Sequence, residues 1–187
     1  GRLHALWTLE GMNQLTEEDL LALLNDSASG IREHAVLLAE KRTAESSSLA
    51  LRSEIIRLAD DVSDRVRFQV AFALGQFDDP RCSAALESIV RRDANDPWII
   101  NAALSSSGVL APRLFEKLLQ EQEFLTDPVF LPVLKQLATV TGVRKSPEEL
   151  AAIGRGIESL PTKLRLSPVT TELLLAMDDG LHLAGSR

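Results

Sequence analysis

No tyrosine occurs in the chain, and only eight of its 187 residues are phenylalanine or tryptophan. That is thin for a β-sandwich, whose strands favour aromatic and β-branched side chains. No stretch sustains period-two alternation of apolar and polar residues, which removes the main signal of half-buried strands. The single cysteine, Cys82, excludes an internal disulfide and leaves the redox compartment open. No run approaches the roughly 20 apolar residues that a membrane-spanning helix requires. Positive charge is also short: 20 Lys and Arg stand against 27 Asp and Glu, a net charge of −7. Non-specific duplex binding draws on a basic surface that displaces phosphate counterions, so whole-chain charge argues against nucleic acid as a partner. Gly1-Arg2-Leu3-His4 runs straight into helical pattern without a signal peptide, and a start at glycine reads as a piece excised from something longer.

What is present is an ordinary globular composition, 45% apolar and 25% charged. A chain of this size buries about 70% of its unfolded surface in one domain or two small ones, without a metal or disulfide staple. Arg2-Leu3-His4-Ala5-Leu6 recurs as Arg32-Glu33-His34-Ala35-Val36 and more loosely as Arg67-Phe68-Gln69-Val70-Ala71. A fourth copy, Ile99-Ile100-Asn101-Ala102-Ala103, lacks the arginine. The offsets of 30, 35 and 32 residues fall in the period range of helical-repeat arrays. A second helical segment follows each copy, near Thr16–Asn25, Ala44–Asp60, Pro80–Arg92 and Leu110–Gln122.

Punctuation agrees with helices. Asp79-Pro80, Asp96-Pro97, Asp127-Pro128, Ser146-Pro147 and Ser167-Pro168 each put a capping residue before a proline, which suits a first helical turn. Ser146 with Glu149 spells a capping box, and Thr16 with Asp19 a weaker one. Pro132 would fall inside a helix begun at Asp127, so a kink or a start near Leu131 is expected. Segments carrying the Arg-x-His/Gln core are apolar nearly all round, whereas segments such as Pro80–Arg92 carry one apolar stripe. An all-round apolar helix is buried on more than one side. The expected architecture is therefore all-α: an α-solenoid of about five two-layer helical hairpins, each burying its flank on the next. Residues 1–145 are assigned to the repeats. A C-terminal helix pair over 146–187, Pro147–Leu160 with Pro168–Asp178, continues or caps them.

Asp64-Arg65-Val66-Arg67-Phe68-Gln69 resembles the opening of an inner helix in a HEAT-like repeat. The segments Arg2–Gly11, Arg67–Gly75 and Asp96–Ser106 resemble a bacterial family of large multidomain proteins of planctomycetes and their relatives, the membrane-bound dehydrogenase or HEAT-repeat c-type cytochromes. The resemblance spans positions 2 to 108. It implies a β-propeller of sugar-dehydrogenase type before the repeats, a cytochrome c domain after them, and an exported or periplasmic location. Covalent haem attachment needs Cys-x-x-Cys-His, and a chain with one cysteine cannot supply it. No cofactor is carried over to this chain; haem belongs elsewhere in the implied parent.

Three constellations invite a functional reading. Arg2, Arg32 and Arg67 occupy equivalent positions and form a ladder that could grip carboxylates or phosphates. The plainer reading is that Asp26, Asp61 or Asp64, in the turns before two of them, ties repeat to repeat and caps helix starts. His4, His34, Gln69 and Asn101 form a second row, about 200° further round the helix. Two histidines one repeat apart with two amides do not make a metal site, and buried polar groups answering carbonyls at kinks are expected instead. Asp96 and Trp98 could make a pocket for a cationic base in a helical-repeat nucleic-acid glycosylase. The plainer reading is an N-cap and an aromatic anchor packed on the preceding repeat. Ser46-Ser47-Ser48 reads as capping at a helix entrance, and Ser105-Ser106-Ser107-Gly108 as a helix terminus with no nucleophile elbow around it. The expectation is a non-catalytic scaffold or protein-interaction module. Its alternatives are a stand-alone cytoplasmic adaptor and the glycosylase.

Overall fold

The computed structural model describes residues 1–45, 48–108 and 110–183, and no strand occurs among them. Helices α1 (Arg2–Gly11), α2 (Glu17–Leu24), α3 (Ser29–Glu45) and α4 (Leu49–Arg57) come first, α4 tightening into a 3₁₀ turn over Leu58–Asp60. They are followed by α5 (Asp64–Leu74), α6 (Arg81–Arg92), α7 (Pro97–Ser106), α8 (Ala111–Leu119) and the short α9 (Gln122–Thr126). After a 3₁₀ turn at Pro128–Phe130 come α10 (Leu131–Arg144), α11 (Pro147–Ser159), the single turn α12 (Thr162–Arg165) and α13 (Pro168–Leu183).

Local chemistry sets several of the starts. Thr16 and Asp19 close a complete capping box, each side chain accepting from the other's backbone N–H. Ser48 accepts from the Leu51 N–H, and Asp96 from those of Trp98 and Ile99. Ser146 accepts from the Glu149 N–H, but the Glu149 carboxylate turns to Arg144 rather than completing a box. Asp127 heads the 3₁₀ turn, and α10 begins at Leu131, so Pro132 sits in a first turn where it removes no needed donor. Asp79 does not cap. Its helix starts after the proline, at Arg81, and its carboxylate takes the Arg81 N–H and guanidinium. The segment expected over Ala44–Asp60 is divided, since α3 runs to Glu45 and α4 begins at Leu49; Ser46 and Ser47 lie outside the described residues.

Two layers follow from which helix touches which. In one, α1, α3, α5, α7, α10 and α13 pack in sequence; in the other, α2, α4, α6, α8 and α11 do. The first layer is buried on several sides, as α5 illustrates with Val66, Val70, Ala71, Ala73 and Leu74. The second buries one stripe: Cys82, Ala85, Leu86, Ile89 and Val90 on α6, with Arg91 and Arg92 turned outward. Between the layers lies one continuous core, anchored by Leu24, Leu51, Ile55, Leu86, Ile89, Leu114 and Phe115.

The C-terminal helices do not pair with each other. α11 lies on α8, and α13 lies along α10. The latter contact is unusually close. A Cβ on Gly142 would collide with the Met177 carbonyl oxygen, and one on Gly180 with that of Thr139. Two glycines thus let the backbones meet where any side chain would hold them apart. The boundary drawn at 145 consequently falls between α10 and α11, whose ends are joined by Lys145 in the left-handed conformation (φ 53°).

Candidate functional site

Three arginines of the first layer, Arg2, Arg32 and Arg67, reach forward to aspartates in the turns that lead into the next helix of that layer. Arg32 Nε and Nη2 donate to the two oxygens of Asp61, both at 2.7 Å, while its Nη1 donates to the Asp26 carbonyl at 2.8 Å. Arg67 repeats the pattern, with Nε and Nη2 donating to Asp93 at 2.6 and 2.5 Å and Nη1 to the Asp61 carbonyl at 2.7 Å. Arg2 makes a single bond to Asp26 at 2.5 Å. The aspartates hold the turns as well, Asp26 accepting from the Ala28 N–H and Asp61 from the Ser63 N–H. Arg32 and Arg67 therefore each tie one turn by its carbonyl and the next by its carboxylate.

Burial grades the rungs: the arginine side chain is 61% exposed at Arg2, 12% at Arg32 and 6% at Arg67. Burial by itself would raise the Asp61 carboxyl, but the hydrogen bonds from Arg32 and the Ser63 N–H, with the Arg67 charge, hold it below its ordinary value. Arg67 is held protonated above its ordinary value by Asp93, and Arg32 by Asp61. At Arg32 and Arg67 both edges of the guanidinium fork face the chain's own oxygens, the opposite of a fork open to a ligand. Asp64 is not part of the ladder. It is the first residue of α5, accepts from the Arg65 N–H, and leaves the N-cap position to Ser63. Asp93, 26 residues beyond Arg67, is the partner that sequence reasoning missed.

The second row is not buried. His4 and Asn101 are exposed, while His34 and Gln69 are half-buried. Trp7 Nε1–H donates to His34 Nδ1 at 3.3 Å, and the rings meet edge to face. Gln69 donates to Glu40, whose carboxyl is pushed up by burial. The expectation of polar groups answering carbonyls at kinks is overturned: this edge of the first layer faces solvent.

Trp98 is likewise no anchor. It is 75% exposed, at the second position of α7, off the buried stripe of Ile99, Ala102 and Ala103. The N-cap role of Asp96 holds locally, with its Oδ1 accepting from the Trp98 and Ile99 N–H groups. Around them opens a groove of about 300 Å³, lined by Glu33 of α3, by Asp64, Arg65 and Phe68 of α5, and by Asp96, Trp98 and Ile99 at the start of α7. Arg65 pairs with Glu33 at 3.0 Å across it. The repeat alignment gave no such signal, since it pairs Trp98 with Val66, which is buried.

A larger opening of about 590 Å³ lies between the α5–α6 turn, α8 and α11, with Phe77, Arg113 and Arg144 in its lining. Arg144 closes one side, gripping Glu149 at 2.8 Å through both nitrogens and donating to the Gly108 carbonyl. The Cys82 thiol is buried, and burial pushes it up to about 11, so it stays protonated at neutral pH. No group of three or more His, Cys, Asp or Glu side chains among the described residues is placed to hold a metal, and no described helix is long and apolar enough to cross a membrane. Compared with protein-family models, curated proteins and solved structures, the chain matches none of them.

Proposed function

We propose that this chain is a non-catalytic helical-repeat module, an α-solenoid of about five hairpins, that holds protein partners or neighbouring domains along its first layer. The observation that carries the reading is a strip of exposed apolar side chains crossing successive helices of that layer. Trp7 on α1 and Leu37 on α3 are 41% and 40% exposed and share a groove with Glu40. Glu40 also lines a second groove with Phe72 of α5, and the Phe72 ring meets Phe68 edge to face at 5.1 Å. Phe68 in turn borders Trp98. Contiguous exposed apolar surface of this kind marks interaction sites. The successive packing within each layer, with the Arg–Asp rungs between turns, supports the solenoid.

The resemblance to the planctomycete-type cytochromes supplies a setting: a repeat module inside an exported redox protein, with haem and dehydrogenase chemistry in its neighbours. The glycosylase alternative loses support, because the groove at Asp96 and Trp98 presents three carboxylates and one arginine where a phosphate backbone would run.

Photo-crosslinking in the native source tests the module. A crosslinker at Leu37 or Phe72 is expected to capture protein that one at Ala84, exposed on α6, does not. Equal capture at both layers, or none, refutes the reading. Intact mass and haem staining of the native polypeptide test the setting: a large haem-positive chain supports it, and a haem-free band near 20.5 kDa overturns it.

A further inference from the structure

Building on the interaction-module reading, we infer that the groove between α3, α5 and α7 receives a cationic side chain, lysine or arginine, from a basic segment of the partner protein. Trp98 gives the first reason. An indole spent on packing would be covered, yet this one is 75% exposed beside the half-buried Phe68 ring. An open indole face attracts cations through its quadrupole, and most strongly when water is displaced.

Charge gives the second. Glu33, Asp64 and Asp96 line the groove against Arg65 alone, and Arg65 is already paired with Glu33. Two carboxylates are left over. Asp64 and Asp96 each use Oδ1 for the backbone of their own helix start, and among the described residues neither Oδ2 has a hydrogen-bond partner. The N-termini of α5 and α7 would by themselves favour an anion. With an aspartate on each, what the groove offers outward is carboxylate oxygen next to an aromatic face. At about 300 Å³ it lies at the small end of ligand sites, which run from about 300 to 1,000 Å³, and it suits a side chain rather than a folded domain. The net charge of −7 favours encounter with a basic partner.

The test uses the whole chain carrying Trp7→Phe, which leaves Trp98 as the sole tryptophan. It is titrated with three dodecapeptides, one rich in lysine, one in arginine and one in glutamate, and read by indole fluorescence and calorimetry. At least one basic peptide is expected to bind, with affinity falling as salt rises, and the glutamate peptide not to bind. Trp98→Ala is expected to weaken binding about tenfold. The Asp64→Asn/Asp96→Asn pair should weaken it by a similar factor, since Asn at the N-cap keeps the α7 start intact. Circular dichroism confirms that each variant is folded. No binding of either basic peptide at millimolar concentration refutes the inference, as does binding that both variants leave unchanged. Binding of a single-stranded oligonucleotide that outcompetes the basic peptides would also refute it. If crosslinks at Leu37 and Phe72 persist while basic peptides fail, this inference falls alone; if both fail, the module reading falls with it.

Discussion

Replacing Arg67 by alanine removes the buried rung and strands Asp93. The Asp93 carboxylate is 8% exposed and loses both donors, and the Asp61 carbonyl loses a third. Breaking a buried pair by deleting one partner costs about 3–5 kcal/mol, because the remaining charge has neither water nor counterion. The same deletion at Arg2, whose side chain is 61% exposed, removes a solvent-screened pair worth about 0–1 kcal/mol. Arg32→Ala should fall between them. At roughly 2–4 °C per kcal/mol for a chain of this size, Arg67→Ala lowers Tm by about 6 to 20 °C and Arg2→Ala by only a few degrees. Urea and thermal unfolding followed by circular dichroism read the series. A double variant, Arg67→Met/Asp93→Leu, is expected to lose less than Arg67→Ala alone, since no buried charge is left over. Equal losses at Arg2, Arg32 and Arg67, or a loss under 1 kcal/mol at Arg67, would refute the graded ladder.

Gly142→Ala should cost at least the 1–3 kcal/mol typical of overpacking, since its Cβ meets a backbone carbonyl that cannot rotate away. Hydrogen exchange should then rise in α13 and α10 ahead of α1–α6, and uniform exchange would contradict the packing. Asp61 has a folded value below its unfolded one of about 3.8, so its contribution is complete above that value and is lost as pH falls through the depressed folded value. Acid unfolding should therefore be milder in Asp61→Asn relative to its own neutral-pH stability. Glu40 has the opposite sign. Its folded value is raised, so the ionised form destabilises the fold at neutral pH and the penalty vanishes below about 4.5. Glu40→Gln should raise Tm at pH 7 and match the parent at pH 4; a lower Tm at pH 7 would refute it. Cys82 should resist iodoacetamide at pH 8 in the folded chain and react once urea exposes it.

The helical class and the capped helix starts were legible because they are local: a cap and its N–H lie two or three residues apart, as at Thr16, Ser146 and Asp96. The ladder was half legible. Periodicity aligned Arg32 with Arg67, but Asp93 lies 26 residues downstream, and only the stacking of turns brings it to Arg67. Trp98 was misread because a large aromatic is ordinarily core, and the rotation of one residue off the buried stripe decides otherwise. The seating of α13 on α10 was out of reach. Gly142 and Gly180 lack side chains, and sequence periodicity carries no mark of where two backbones will touch.

The ladder also stops partway. Asp127 makes the same turn as Asp26 and Asp61, accepting the Val129 N–H, yet the position corresponding to Arg67 is the buried Ile99, which has nothing to offer it. Alongside, between α7 and α10, lies an opening of about 470 Å³ bordered by Asn101, Pro128 and Pro132. Upstream, Arg–Asp clasps join successive turns and Gly75 lets α5 close on Ser106 of α7; downstream, Gly142 and Gly180 seat α13 on α10, Lys135 pairs with Glu172 and Arg144 clasps Glu149. The core runs on unbroken past this point, so what changes there is the ionic tie between turns and not the packing between layers. With no arginine to hold it, the Asp127 turn is expected to exchange its amide hydrogens faster than the Asp61 turn, and hydrogen exchange reads that difference directly.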